Sequence, residues 1–383
     1  MQKKNIPLLC IITFLQGMVF YSAIATLYRQ AAGLTVFQIT MLEGISIACS
    51  LVMEIPWGYV ADRIGYRRTM IICNMLFLLS KVIFWQANGF AAFLAERLLL
   101  SVVISGLSGV DSSILYLSAP PESAQRSYGW YNACGEAGLL FSALIYSLFL
   151  SGRYRLTALL TIIPYAIAAI LTFFLTEVCP EQRSSVNHGS MNSLYTQIRR
   201  QFKIPGMLPL VICGALFGET IHCITVYFNQ LQYIRAGLSE RVIGIAFIGA
   251  ALIGFLSPLS APITQKYGVN RLGQFLLLSA AACAALLAVL SNGFLSILLI
   301  FFMSAASTLW GPLLGAMENK MICTNDRATA LSINAMAGDS LILLIDLVLG
   351  KAADLSLPLL FAICSALFLT VWLLYRSLPQ FRV

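Results

Sequence analysis

Apolar segments of 18 or more residues recur along the whole chain and are separated by short polar stretches. A helix of about 20 apolar residues is long enough to cross the hydrocarbon core of a bilayer. The pattern therefore predicts an all-α polytopic membrane protein with twelve transmembrane helices. The predicted spans are about 6–28, 36–61, 69–86, 91–118, 127–150, 154–176, 207–233, 240–265, 272–291, 294–317, 328–351 and 356–375.

One long polar stretch divides these spans into six and six. It predicts an N-terminal half at 1–176, a linker at 177–206 and a C-terminal half at 207–383. Within the linker, apolar residues recur every four positions among basic ones, which predicts a short amphipathic helix on the membrane surface. The residues of this pattern are Leu194, Ile198 and Phe202, with Arg199, Arg200 and Lys203.

An internal repeat supports the division into two halves. Gly33-Leu34-Thr35 matches Gly237-Leu238-Ser239 at an offset of 204, and further matches follow at offsets of 201 to 203. Thr35 and Ser239 each place a hydroxyl at a predicted helix N-cap.

The composition agrees with a membrane protein. Hydrophobic residues make up 59% of the chain and charged residues only 10%, against about 25% charged in soluble domains. The ten cysteines include no C-x-x-C pair, so we interpret them as small apolar packing residues. The apolar run after Lys3 and Lys4 is too long for a cleaved signal peptide and predicts the first transmembrane helix.

The distribution of positive charge predicts the topology. The net charge is +8, but the basic residues lie in short loops, which argues against a nucleic-acid partner. Sixteen basic residues fall on the side of the N-terminus and six on the other side. The positive-inside rule therefore predicts that both termini lie in the cytoplasm, and we expect the protein in the plasma membrane.

Ionisable side chains inside the spans are the first candidates for function. Each costs about 2.5–3.5 kcal/mol on insertion scales, so each indicates a function or a partner. They are Glu43, Glu54, Lys81, Glu96, Arg97, Asp111, Glu136, Glu219, His222, Asp339 and Asp346. Helical spacing places Glu43 with Glu54, and Asp339 with Asp346, on shared helix faces.

Two pairs among these residues have alternative interpretations. Asp111 and Glu136 lie at comparable depth in spans four and five, where they either share a proton or face an aqueous cavity separately. Glu219 and His222 are three residues apart and form either a proton or substrate site or a local hydrogen-bonded pair. One histidine and one glutamate are too few ligands for a metal site, and no metal or cofactor is expected.

The clearest motif is the charged turn between spans two and three. It reads Gly58-Tyr-Val-Ala-Asp62-Arg63-Ile-Gly65-Tyr-Arg67-Arg68. This run resembles the signature loop of the major facilitator superfamily, G-x-x-x-D-R/K-x-G-R/K-R/K, and departs from it at Tyr66. The corresponding turn of the second half has lost the pattern, since Ala261 and Gln265 replace the glycine and the aspartate.

The resemblance implies two parallel six-helix halves around one central cavity, and solute transport by alternating access. It also implies that the signature residues form a conformational gate. In that gate Asp62 faces the positive N-terminus of span eleven, near Arg327. The gate residues are Gly58, Asp62, Arg63, Gly65, Arg67 and Arg68.

Three weaker resemblances concern the energy source and the direction of transport. Arg97-Leu-Leu-Leu-Ser101 resembles the superfamily motif R-x-x-Q-G, whose arginine is associated with proton-coupled members, although Arg97 alternatively pairs with Glu96. The run 108–116 resembles the fourth span of bacterial drug-exporter-like facilitators. Gly129-x5-Gly135-Glu136-Ala-Gly138 is similar to the antiporter motif of span five but lacks its proline.

These features predict a secondary transporter rather than an enzyme, because the sequence carries no phosphate-binding G-x-x-x-x-G-K-[ST] loop and no hydrolase motif. The predicted function is proton-coupled export of small, partly apolar molecules by a monomer in the lipid bilayer. Proton-coupled nutrient uptake is the alternative within transport. A facilitator that has lost transport and acts as a membrane sensor or scaffold is the alternative from another class.

Overall fold

The computed structural model describes residues 4–107, 110–118, 124–178, 201–321 and 327–378. Within these ranges every regular element is a helix. The first predicted span consists of α1 (Asn5–Gly17), a 3₁₀ turn (Ser22–Ile24) and α2 (Ala25–Ala31). Spans two to six are α3 (Val36–Ile64), α4 (Tyr66–Gln86), α5 (Gly89–Leu107) with α6 (Val110–Ser118), α7 (Ala124–Ile145) with the π-helix Tyr146–Leu150, and α8 (Tyr154–Thr172).

The last six predicted spans are also helical. The seventh consists of α9 (Met207–His222), the π-helix Cys223–Phe228 and α10 (Asn229–Arg235). The eighth consists of α11 (Glu240–Ile253), a 3₁₀ segment (Gly254–Leu259) and α12 (Ser260–Tyr267). The others are α13 (Val269–Val289), α14 (Gly293–Met321), α15 (Arg327–Leu355) and α16 (Leu357–Arg376).

These bounds confirm the all-α class with twelve spans. Among the described residues, eleven helical stretches are long and apolar enough to cross a membrane. The one remaining predicted span is the eleventh along the chain and corresponds to α15. This helix has 29 residues and is about 44 Å long at 1.5 Å per residue. It is less apolar because Asp339, Asp346, Lys351 and Asp354 lie along it.

Several spans are interrupted where the apolar pattern predicted continuous helices. The first breaks after Gly17, and the fifth and seventh pass into π-helical turns. A π-turn inserts one extra residue into a helix and changes which side chains face a neighbour, and such turns occur often at functional sites. Hydrophobicity alone does not distinguish these turns from α-helix.

The two predicted N-caps differ. At α3, Thr35 Oγ1 accepts a hydrogen bond from the Gln38 N–H at 3.2 Å, and Gln38 Oε1 accepts one from the Thr35 N–H at 3.0 Å. This reciprocal pair is a capping box and confirms Thr35 as the cap. At α11 the side chain of Ser239 makes no capping hydrogen bond.

The predicted linker helix lies mostly in residues 179–200, outside the described residues. At its end, Phe202 and Ile204 pack against the buried side chains of Met207 and Val211 at the start of α9.

The described chain separates into two compact units. Unit 1 contains residues 1–34, 45–184 and 240–248, and unit 2 contains residues 35–44, 185–239 and 249–383.

In unit 1 the central contact is a close crossing of α1 and α7. A β-carbon on Gly17 would collide with the backbone carbonyl of Gly135, and one on Gly138 would collide with the carbonyl of Phe14. Small residues allow two membrane helices to approach until their backbones touch. Gly135 and Gly138 of the span-five motif therefore have a packing role in this fold.

In unit 2, α9 packs against α15 and α16, while α13 packs against α14 and α16. At one end of the α13–α16 contact, the Tyr375 hydroxyl donates a hydrogen bond to the Val269 carbonyl at 3.1 Å and lies over Gly273. Glycine at that position leaves the space that the tyrosine ring occupies. The contact of α9 with α15 brings together the polar residues described below.

Candidate functional site

The signature turn is held by residues at the end of α8. Gly65 has a φ of 92°, a conformation that L side chains rarely adopt, and it separates α3 from α4. Glu177 Oε1 accepts a hydrogen bond from the backbone N–H of Arg67 at 3.3 Å, which places a carboxylate at the N-terminus of α4. The Arg67 guanidinium donates to the Phe173 carbonyl at 2.7 Å. Arg67 makes both contacts, so the start of α4 is tied to the end of the sixth span.

The remaining signature residues are only partly described. Arg63 and Arg68 are exposed on either side of Gly65. Gly58 and Asp62 lie within α3, but their side chains are outside the described residues, as is that of Glu54. The predicted contact of Asp62 with the start of α15 therefore stays a prediction.

Asp111 begins α6 and is half-buried. Its Oδ2 accepts a hydrogen bond from the Tyr131 hydroxyl on α7 at 2.7 Å. Glu136, further along α7, is exposed. The contact described for Asp111 is thus with a tyrosine, and the sharing of a proton with Glu136 stays a prediction.

A second group of charged residues is buried in unit 1. Lys81 is 5% exposed, and its ammonium group lies 4.9 Å from the ring centroid of Phe77 and 4.8 Å from that of Tyr165. Arg97 lies 3.9 Å from Glu96, measured from Nε to Oε2. This distance agrees with the alternative in which Arg97 pairs with Glu96.

A buried group of acidic side chains lies in unit 2, where α15 faces the seventh span. The thiol of Cys223 lies 3.2 Å from Oδ1 of Asp346 and 3.3 Å from Oε1 of Glu219. Asp346 is 1% exposed, Cys223 is fully buried, and Glu219 is half-buried. We call these three side chains the thiol–carboxyl cluster.

The cluster replaces the expected pairing of Glu219 with His222. His222 is exposed, and its ring lies edge-on against Tyr227 with the ring centroids 5.4 Å apart. Glu219 instead contacts Cys223, one helical turn further along.

A cavity of about 290 Å³ opens between α9, α14 and α15. Asp339 lines this cavity together with Glu318 and Asn334, and the other lining residues are small or apolar. The Asn334 carbonyl oxygen accepts a hydrogen bond from the Gln201 amide at 3.1 Å, which fixes its orientation. The cavity thus offers two carboxylates in an otherwise apolar space.

Glu43, near the start of α3, belongs to the same unit and is 9% exposed. The adjacent Gly44 lies against the Leu343 side chain of α15, so this part of α3 reaches the helix that carries Asp346.

Sequence reasoning missed three residues of this structure. Cys223 was interpreted as a packing residue, although its spacing of four from Glu219 places both on one helix face. Glu240 accepts hydrogen bonds from the hydroxyls of Tyr146 and Tyr154 at 2.9 and 2.5 Å. Asp354 accepts from the first N–H groups of α3, with 2.7 Å to the nitrogen of Val36. No sequence signal points to the last two contacts.

The three donor atoms of the thiol–carboxyl cluster lie within 4.8 Å of one another. A structural zinc site uses four protein ligands, one more than the described residues supply here, and we assign no metal.

The family follows from the sequence as a whole. Residues 8–345 match the family model of the Major Facilitator Superfamily, and the chain belongs to this family of transporters. Among curated proteins, no sequence matches it.

Solved structures confirm the fold. The crystal structure of nucleoside transporter NupG has a TM-score of 0.81 at 16% identity, covering 98% of this chain and 99% of the other. A bacterial homolog of the human lysosomal transporter Spinster, in an inward-facing and occupied conformation, has a TM-score of 0.73 at 16% identity, covering 97% and 96%. The D-xylose-proton symporter has a TM-score of 0.70 at 15% identity, covering 99% and 97%.

Proposed function

We propose that this protein is a proton-coupled transporter that exports small, partly apolar molecules by alternating access. The observation that carries the proposal is the cavity of unit 2, where Glu318 and Asp339 stand among apolar and small residues. A cavity of about 290 Å³ is at the lower end of the size range of small-molecule sites. Its carboxylates favour neutral or cationic solutes.

Proton coupling is proposed because ionisable groups are retained inside the spans. A proton carrier must be an acid that water reaches from each side in turn, and a buried carboxyl is costly to keep unless it is used or paired. Asp111, Glu219, Asp339 and Asp346 are the described carboxyls that fit this role. The resemblances of 108–116 and of the span-five motif support export and the drug-exporter branch.

Uptake by proton symport is the second candidate, and the structural neighbours favour it. One is a nucleoside transporter and another is a D-xylose-proton symporter. Sugars and nucleosides also fall within the size that the cavity admits.

The direction can be tested in everted membrane vesicles whose lumen is acidified by respiration and reported by acridine orange quenching. An exporter exchanges a compound added outside for lumenal protons, so the fluorescence should recover when a substrate is added. A symporter should respond only when the same compound is loaded inside. The compounds should include amphipathic cations, nucleosides and pentoses, and vesicles without the protein are the control. Fluorescence recovery only with compound loaded inside would contradict export and support uptake. No recovery with compound on either side would support a sensor or scaffold.

We further propose that the protein works as a monomer in the plasma membrane, with halves at 1–176 and 207–383 and both termini in the cytoplasm. In a Cys-depleted protein, cysteines introduced at Ser185 or Ser190 should react with a membrane-impermeant maleimide only after the cells are opened, because basic residues keep this segment inside. A cysteine at Ser151, in the loop after span five, is the control and should react in intact cells. The reverse labelling pattern would invert the proposed topology.

A further inference from the structure

The thiol–carboxyl cluster contains more acceptors than donors. Oδ2 of Asp346 is buried and accepts no hydrogen bond from any described residue. Cys223 has a single S–H proton, so it can donate to Glu219 or to Asp346 but not to both at once. With both carboxyls ionised, at least one buried oxygen would lack a donor, which proteins generally avoid.

The ionisable groups of the cluster are all acids. One carboxyl oxygen each of Glu219 and Asp346 and the sulfur of Cys223 lie within 4.8 Å of one another, and Asp346 is 1% exposed. Two neighbouring carboxylates in a site of low dielectric cannot both stay ionised at small cost. One added proton removes the repulsion and lets one carboxyl donate a hydrogen bond to the other.

The position of the cluster connects it to the cavity. Asp339, in the cavity wall, precedes Asp346 by seven residues, which is about 10.5 Å along α15. Gly214 and Ala215, also in the wall, lie about one turn before Glu219 on α9. A change of charge in the cluster therefore acts on α9 and α15, two of the three helices that line the cavity.

We propose that Glu219, Cys223 and Asp346 together form a proton-binding site that holds one proton shared between the two carboxyls. The role of this site in coupling rests on the proposed proton-coupled transport. The presence of a bound proton in the site does not depend on that proposal. Asp346 is the buried acceptor, and the half-buried Glu219 is the member through which the proton enters and leaves.

Cys223 is a positioning and relay residue in this site. When a proton arrives on Glu219 Oε1, it passes to Sγ while the S–H proton passes to Asp346 Oδ1, so that one proton is transferred and no electron moves. The two distances of 3.3 and 3.2 Å place the sulfur between both oxygens. The π-helix that begins at Cys223 holds the thiol one turn from Glu219.

Infrared spectroscopy of the purified protein in lipid tests the site without any substrate. The wild-type protein should show a carboxylic-acid C=O band at neutral pH that disappears on raising the pH, together with a shift of the S–H band. Asp346→Asn and Glu219→Gln should each remove or weaken the band, because each variant lacks one of the two carboxyls that share the proton. Asp354→Asn and Cys213→Ala are controls that should leave both signals unchanged.

Transport assays then separate the relay from a packing role. Cys223→Ser keeps a hydroxyl between the carboxyls and should retain coupling. Cys223→Ala removes the bridge and should lower pH-driven transport about tenfold or more, while exchange of substrate without a pH gradient stays within about twofold. Equal losses in Cys223→Ser and Cys223→Ala would overturn the relay.

The proton site itself would be overturned if the wild-type protein lacked an acid band at neutral pH, or if the band persisted unchanged in both Asp346→Asn and Glu219→Gln. A wild-type protein with the band but without any response of transport to pH would contradict the proposed proton-coupled function and leave the proton site standing. The two failures are therefore distinguishable.

Discussion

Replacing Asp62 by asparagine is expected to abolish most transport while expression and fold are retained. The resemblance to the superfamily signature implies that this carboxylate faces the positive N-terminus of span eleven, where a charge would interact with the helix dipole by about 0.3–2 kcal/mol. Loss of about 2 kcal/mol from one of two balanced conformations changes their ratio about 30-fold. Asparagine keeps the volume of the side chain and its ability to form hydrogen bonds but removes the charge. The gated conformation is therefore less stable, although the packing is unchanged.

The measurement is substrate-induced recovery of fluorescence in everted vesicles, corrected for the amount of protein in the membrane. Asp62→Glu keeps the charge and should retain part of the activity. Lys266→Gln alters an exposed basic residue in the corresponding turn of the second half, which has lost the signature pattern, and should have a much smaller effect. Normal transport by Asp62→Asn would mean that the signature turn no longer serves as a gate in this chain.

Replacing Gly138 by alanine is expected to destabilise unit 1. Inserting a methyl group into a well-packed contact costs about 1–3 kcal/mol, and we expect a value at the upper end of this range. The added methyl group would meet the backbone carbonyl of Phe14, and a backbone atom in a helix cannot move aside as a side chain can. An alanine in a helix is otherwise favoured over glycine by about 1 kcal/mol. A loss of stability in Gly138→Ala, where an unhindered alanine would increase stability, would therefore show the close contact between α1 and α7.

The matched control is Gly218→Ala in α9, where an added β-carbon meets no atom within 4 Å. That variant should be as stable as the wild-type protein or slightly more stable. Thermal unfolding of both purified variants in detergent measures the difference. If Gly138→Ala unfolds at the wild-type temperature but fails to transport, the glycine serves the antiporter motif that it resembles and not the helix crossing.

The sequence determined the helical spans because burial in lipid is a local requirement. Each span must satisfy its own backbone hydrogen bonds and present apolar side chains to the bilayer, so its length and composition are visible in the chain. The predicted bounds of α3 and α13 differ from the observed ones by three residues at most. Gly65 was predicted as a turn residue for the same reason, since its positive φ is a local property.

The sequence did not predict which residues of different spans contact each other. Cys223 and Asp346 are 123 residues apart, and only the packing of the seventh span against α15 brings them within 3.2 Å. The apolar pattern gave no reason to distinguish Cys223 from the other cysteines. Asp354 likewise caps α3 from 318 residues away.

The choice among ionisable residues was therefore decided by tertiary structure. Asp111, Glu136, Glu219 and Asp346 look alike in the sequence, because each is a carboxylic acid inside a predicted span. Their surroundings differ: Asp111 has a tyrosine donor, Glu136 is exposed, and Asp346 is buried among other acids. Local hydrophobicity fixes where a span lies in the membrane, but the cost of a buried charge depends on the neighbours that other helices supply.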